Sequence, residues 1–440
     1  ATTTTKSSSY SITGSSSETL TAVDVDLGYY VVFDSLAIDG EVSETDAVTN
    51  GSLVTIPGRA TDGSLTDDVT ISLKGNMPEI EKEIWHNDLT NVSGDNSPTL
   101  GTTGSWDEVA DYQIGDTVEF RLTVTIPSDL KAYDDYDYTI IDTLSDGLEF
   151  NNDIKIYVDS ELITQVDGQL HKTTYGDLTD ESSENDYTFK MDFDMINIKE
   201  GYPSQKVFYV YYTATVLEDT NIYTDYEQNN AVLEFSNNPY DSTSYGKSED
   251  DVYGYTFEID ITKTKGDGVT ALADATFALY ETTTVDNILT YHQIYLAKST
   301  DNDLEVDTFY PSTGSASDTE GNYAGVITTG DTGKFAITGL DDATEYVLVE
   351  LDAPEGFNIA DPVMINIKAT YADNDKGIPT PSLTVSGSTD SLDITIINTS
   401  ANLLPETGGI GTTVFTITGI VIMLGALAIL FLIKTKKTSK

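Results

Sequence analysis

Two lysines stand where a folded chain rarely tolerates them. Lys82 shares strand parity with Ile80 and Ile84, while Glu79, Glu81 and Glu83 take the opposite face. Lys263 shares parity with Phe257, Ile259 and Ile261, while Glu258, Asp260, Thr262 and Thr264 face the other way. Side chains alternate across a strand, so each lysine is aimed into a core. An unpaired ammonium there is very costly and tends to lose its proton. Acids and amides also occupy apolar faces: Asp142 with Ile140 and Leu144, and Glu350 with Tyr346 and Leu348. Asn229 lies with Ala231, Leu233 and Phe235, and Asn398 with Ile394 and Ile396. Strand ends do carry polar residues, and parity can fail by chance. One lysine–acid–asparagine set in each of two segments is harder to assign to chance.

A second reactive element lies near the C-terminus. Leu404, Pro405, Glu406, Thr407 and Gly408 precede an uncharged apolar run, 410–433, followed by Lys434, Lys436, Lys437 and Lys440 without an acid. About 20 residues at ~1.5 Å each span a bilayer as a helix, and the basic tail, 434–440, sets its orientation with the bulk of the chain outside. A tail-anchored protein with a Pro–Gly break before its helix is the plainer reading. Pentapeptide, span and basic tail in this order resemble the LPXTG sorting signal of sortase substrates. The resemblance implies cleavage between Thr407 and Gly408, with Thr407 held as a thioester on the sortase cysteine. An amine of a peptidoglycan precursor, or a lysine of a neighbouring subunit, then attacks. The apolar helix is on this reading a transient brake during export.

The elements that must position these residues are strands. In Asp116 to Ile126, Val118, Phe120, Leu122, Val124 and Ile126 share one face, and Glu119, Arg121, Thr123 and Thr125 the other. Further strands are expected at 206–216, 231–235, 257–261, 335–337, 346–351 and 394–397, separated by turns such as Asp146-Gly147 and Gly266-Asp267-Gly268. No sustained helical period is seen outside the C-terminal span. The expected fold class is all-β, tandem Ig-like β-sandwiches followed by the sorting signal. The polar stretch 237–251 is read as the boundary between the two sandwiches.

Residues 252–400 resemble a Cna B-type domain, through Ile261-Thr262-Lys263, Leu272 to Tyr280, Gly333 to Leu340, Tyr346 to Phe357 and Ile397-Asn398. The stretch around Glu350 is similar to the E-box of pilins. Residues 76–245 resemble the isopeptide-forming domain of fimbrial subunits, through Pro78 to Lys82, Gly115 to Phe120, Asp142 to Leu144 and Asn229 to Pro239. The resemblance implies that a lysine kept neutral by burial attacks the asparagine side-chain amide and ammonia leaves. A carboxyl kept protonated by its apolar site polarises the amide and shuttles protons. The implied sets are Lys82–Asn229 with Asp142, and Lys263–Asn398 with Glu350. Each bond forms once, so no enzyme activity is implied.

The amino-terminal segment, 1–75, is rich in Ser and Thr at its start. Gly28 to Asp34 resembles a late strand of the N-terminal domain of fimbrial subunits, so the sequence is expected to begin part-way into that domain. Lys74 stands ahead of Pro78. It is either a linker lysine or, by the same resemblance, the amine through which subunits polymerise, although the Tyr-Pro that commonly precedes such a lysine is missing. The stretch 281–325 is long for a compact Cna B-type domain and is expected to be a surface loop or small subdomain, with a ligand-binding insertion as the alternative.

Composition narrows the function. The chain of 440 residues has a net charge of −52 and no cysteine. The charge argues against nucleic acid, whose phosphates would be repelled. An extracellular chain without disulfides must be held together in another way. His86, His171 and His292 are isolated in sequence, and no metal site or cofactor is expected. Acidic clusters such as Asp134 to Asp137 and Asp301 to Asp307 lack an EF-hand register and read as solvated loops. The expected function is structural: a cell-wall-anchored fimbrial subunit whose partners are sortase, peptidoglycan and neighbouring pilin subunits. The alternative is a monomeric wall-anchored adhesin displaying a site for a host or surface ligand.

Overall fold

The computed structural model describes residues 77–86, 105–158, 161–165, 176–180, 187–218, 225–285, 288–300, 304–312, 325–385 and 392–401, apart from isolated positions, and short strands between 28 and 66. In the amino-terminal segment, Gly28–Val32 pairs antiparallel with Ser52–Ile56. The rest forms two sandwiches in series, each with its own apolar core.

The first sandwich uses β1 (Ile80–His86), β2 (Val109–Asp111), β3 (Thr117–Thr125), β4 (Tyr138–Leu144), β5 (Val207–Val216), β6 (Glu227–Ser236) and β7 (Tyr245–Tyr255). One sheet is centred on β5-β3-β1 and the other on β4-β6-β7-β2. The period-two pattern of β3 is realised: Val118, Phe120, Leu122 and Val124 are buried, and the residues between them are half-buried. Fully burying side chains of this size stabilises by about 1.5–3 kcal/mol each.

The second sandwich uses β8 (Phe257–Lys265), β9 (Thr276–Val285), β10 (Lys334–Leu340), β11 (Glu345–Asp352), β12 (Val363–Asp373) and β13 (Asp393–Asn398). In one sheet β8 lies between β10, antiparallel to it, and β13, parallel to it. The other sheet carries β9-β11-β12. Only Thr256 separates β7 from β8.

Three expectations are modified. The second half of the polar stretch read as a boundary, from Tyr245 on, belongs to β7, which pairs with β6 from Tyr245 to Gly254. Its inward positions include Ser248 and Asp250, which accept hydrogen bonds from the backbone N–H groups of Ile80 (3.2 Å) and Lys82 (2.7 Å). A strand that faces an open backbone needs polar side chains, so the apolar alternation is missing. One short helix, α1 (Met195–Gly201), also occurs, capped by Asp194, whose side chain accepts from the Asn197 N–H. It buries Met195 and Ile198, too few positions to show a helical period. Finally, the described part of 281–325 is built into the sandwich. Ile288–Ile294 forms a hairpin with β9, and Asp307–Pro311 joins β10 in parallel.

Candidate functional site

In the first sandwich, Lys82 (β1), Asp142 (β4) and Asn229 (β6) meet in the core. Exposures of 0%, 0% and 1% place all three beyond solvent. Asp142 and Asn229 reach the same spot because β4 and β6 are neighbours, with Asp142 opposite Ala231 and Asn229 opposite Leu144. Lys82 comes from the opposing sheet. Its Nζ lies 2.6 Å from Asp142 Oδ2 and donates to Asn229 Oδ1. The rings of Phe120 and Tyr212, stacked on each other, flank the amine, with centroids 5.8 and 5.7 Å from Nζ.

Burial sets the protonation of this pair. It pulls the Lys82 ammonium down to about 8, with Asp142 opposing the shift. It pushes the Asp142 carboxyl up, with Lys82 opposing. Both shifts favour a neutral amine beside a protonated acid, the forms that a nucleophile and a general acid require.

Tyr212 (β5) was legible only as part of an expected strand, and its role was missed. Its hydroxyl donates to Asp142 Oδ2 (2.9 Å) and accepts from Asn229 Nδ2 (2.7 Å). It therefore links the acid to the amide nitrogen. A fully buried tyrosine needs a partner for its hydroxyl, and its parity with Val210 and Ala214 was the available signal.

In the second sandwich, Lys263 (β8), Glu350 (β11) and Asn398 (β13) are equally buried, at 0%, 2% and 0% exposure. Here lysine and asparagine lie on adjacent parallel strands of one sheet. Lys263 pairs with Ile396 and Lys265 with Asn398, so the two side chains share a face. The acid comes from the facing sheet. Glu350 Oε2 lies 3.2 Å from Lys263 Nζ, and its Oε1 accepts from Asn398 Nδ2 (2.6 Å) without an intermediary. Lys263 Nζ donates to Asn398 Oδ1. Ala360 N–H donates to Glu350 Oε2 (2.6 Å) and fixes the carboxyl. Burial lowers the Lys263 pKa, and Glu350 opposes the shift. The Phe277 ring lies 5.4 Å from Nζ.

His86, isolated in sequence, is not isolated in space. It ends β1 beside Asp111 at the end of β2 and Asp342 in the turn after β10. The junction is built by backbone bonds from Tyr112 N–H to Tyr255 O and from Ile114 N–H to Gly339 O, both 3.0 Å. Gly339 has φ +73°, and Ile114 occupies the space a Cβ would need. Burial, then Asp111, pushes the Asp342 carboxyl up to about 7. Burial pushes Asp341 to about 7 as well, with Asp111 adding to it. Burial lowers the His86 pKa, but Asp111 outweighs this and leaves it raised.

Leu404 to Gly408, the span 410–433, Lys74 and His171 lie outside the described residues. His292 lies on the hairpin strand beside β9.

Residues 257–377 match the SpaA family, described as a prealbumin-like fold domain, and residues 396–440 match the LPXTG cell wall anchor motif. No curated protein matches in sequence. Among solved structures, the chain is similar to the 35 kDa C-terminal fragment of the major pilin GBS80 of Streptococcus agalactiae. The identity is 20% over 73% of this chain and 100% of that one, with a TM-score of 0.48. It is similar to the T6 backbone pilin of serotype M6 Streptococcus pyogenes at 17% identity, over 81% and 80% of the two chains, with a TM-score of 0.48. The major pilin SpaA of Corynebacterium diphtheriae is similar at 16% identity, over 86% and 82%, with a TM-score of 0.46. The anchor motif makes this chain a secreted surface protein of the Gram-positive cell wall and a sortase substrate.

Proposed function

We propose that the chain is a structural subunit of a fimbria, stiffened by two self-formed isopeptide bonds and joined through Thr407 to peptidoglycan or to a neighbouring subunit. The carrying observation is the buried lysine–acid–asparagine set that recurs in both sandwiches. Neutral Lys82 Nζ attacks Cγ of Asn229, and the Nδ2 group leaves as ammonia. Asp142, through Tyr212, supplies the proton to the departing nitrogen and accepts one from the attacking amine. Glu350 does the same for Lys263 and Asn398 directly. In a chain without cysteine these bonds take the place of disulfides. Closing loops of more than 100 residues stabilises by about 5 kcal/mol in the chain-entropy picture.

The candidate amine for polymerisation is Lys74, ahead of the first sandwich, while Thr407 follows the second. Joining such ends is heterologous and does not close, so it gives an open fibre. The intact mass of the mature protein tests the bonds: it should fall short of the sequence mass by two ammonia molecules. A mass equal to that of the sequence would reject them. Immunoblots of wall extracts test the fibre. A ladder surviving hot detergent is expected, whereas a single band would favour the monomeric adhesin.

A further inference from the structure

We propose that His86, Asp111 and Asp342 form a site for a divalent transition-metal ion, with zinc as its best-fitting occupant, bridging the two sandwiches. One nitrogen and two carboxylates converge, and the candidate ligand atoms all lie within 4.8 Å of one another. Tetrahedral zinc, with bonds of about 2.0–2.1 Å, sets its ligands about 3.4 Å apart. His86 Nε2 and Asp111 Oδ2 stand at 3.5 Å, close to that separation already.

Two further observations fit a bound cation. His86 Nε2 is buried, and beyond its 3.5 Å approach to Asp111 Oδ2 it makes no hydrogen bond among the described residues. No lysine or arginine among the described residues pairs with Asp111 or Asp342, so two carboxylates share a single imidazole.

The carboxylates are also held as metal ligands usually are. Tyr371 O–H donates to Asp111 Oδ2 (2.6 Å), the Asp342 N–H to Asp111 Oδ1 (2.7 Å) and the Ala369 N–H to Asp342 Oδ2 (3.1 Å). Such outer partners orient first ligands and tune their basicity. The imidazole decides the class of ion. Calcium takes six to eight oxygens and magnesium a hydrated octahedron, whereas zinc and its first-row neighbours accept mixed nitrogen and carboxylate sets. His86 and Asp111 belong to the first sandwich and Asp342 to the second, so the ion would fix one against the other.

The test uses the full chain in detergent, stripped with chelator and titrated calorimetrically with zinc chloride and, in parallel, calcium chloride. The chain's two tryptophans, Trp85 and Trp106, meet edge to face with centroids 5.3 Å apart, Trp85 preceding His86 in the chain, and their emission provides a second readout. One zinc per chain is expected, with an emission change and much weaker calcium binding. His86→Gln and Asp342→Asn should each weaken zinc by about 100-fold or more. Tyr371→Phe, which keeps all three ligands, should weaken it by about 10-fold. It also gives a result if a ligand variant fails to fold. Absence of a saturable zinc site in the wild type overturns the proposal. So does zinc binding that His86→Gln and Tyr371→Phe both leave unchanged, or calcium binding as tightly as zinc.

Discussion

Replacing Asp142 by Ala separates two contributions that burial alone would confuse. With Lys82 at about 8, roughly a tenth of the amine is neutral at pH 7, against about 1 in 2,500 for an exposed lysine. Burial, net of the acids that oppose it, therefore enriches the nucleophile by about 200-fold. Asp142 works against that enrichment, because its charge favours the ammonium. If deprotonation were all that mattered, Asp142→Ala would form the Lys82–Asn229 bond as fast as wild type or faster. If Asp142 protonates the departing amide nitrogen, the variant should be slower by about 10²–10⁴-fold, the usual range for general acid–base catalysis. The assay is intact mass at intervals after refolding. Wild type should lose two ammonia molecules and Asp142→Ala only one, because the Lys263–Asn398 pair is untouched and reports that the chain has folded. The first sandwich should then lack about 5 kcal/mol of crosslink stabilisation, which is about 10–20 °C in Tm for a unit of this size. Loss of both ammonia molecules at the wild-type rate would refute the acid role.

Tyr212→Phe should slow the first bond by about 100-fold, at the low end of the acid–base range, and leave the second unchanged; mass at early times distinguishes them. In the Asn229→Ala chain, whose first sandwich is uncrosslinked, Lys82 at about 8 lies below its ordinary value, so the folded state holds fewer protons than the unfolded. Stability should therefore rise with pH through the window from about 8 to 10, by up to about 3 kcal/mol, relative to a Lys82→Met/Asn229→Ala reference measured in urea. Thr407→Ala should leave the protein in the membrane fraction, unreleased by muralytic enzymes. Lys74→Arg keeps the charge but removes the nucleophile, and should abolish a ladder on immunoblots while sparing wall attachment of the monomer.

Much of this was legible because each strand buries one face. Parity alone aimed Lys82, Asp142 and Asn229 inward, and the fold brings them within bonding reach. It could not say that Lys82 crosses between sheets while Lys263 stays within one, because strand order is not encoded in alternation. β7 was missed because its inward side chains serve the backbone of β1 instead of an apolar core. His86, Asp111 and Asp342 come from separate elements of two sandwiches, and no local spacing could join them.

The two bond geometries have different mechanical consequences once the chain is pulled between its ends. In the second sandwich the proposed bond joins the first strand, β8, to the last, β13, and these are already neighbours running in parallel. Tension arriving at Phe257 crosses from Lys263 to Asn398 and leaves, so β9 to β12 never carry load. In the first sandwich the bond joins β1 to β6, yet the chain leaves through β7. The hairpin from Asn229 to Val252, residues that face each other across its open end, therefore stays in the path. Antiparallel hydrogen bonds run across the strands, and a hairpin pulled at its open end meets that force one pair at a time. The bonds from Ile80 and Lys82 N–H to Ser248 and Asp250 shunt part of this load from β1 straight to β7. That gives the polar inward face of β7 a mechanical reason, and it makes the first sandwich the extensible member of the pair.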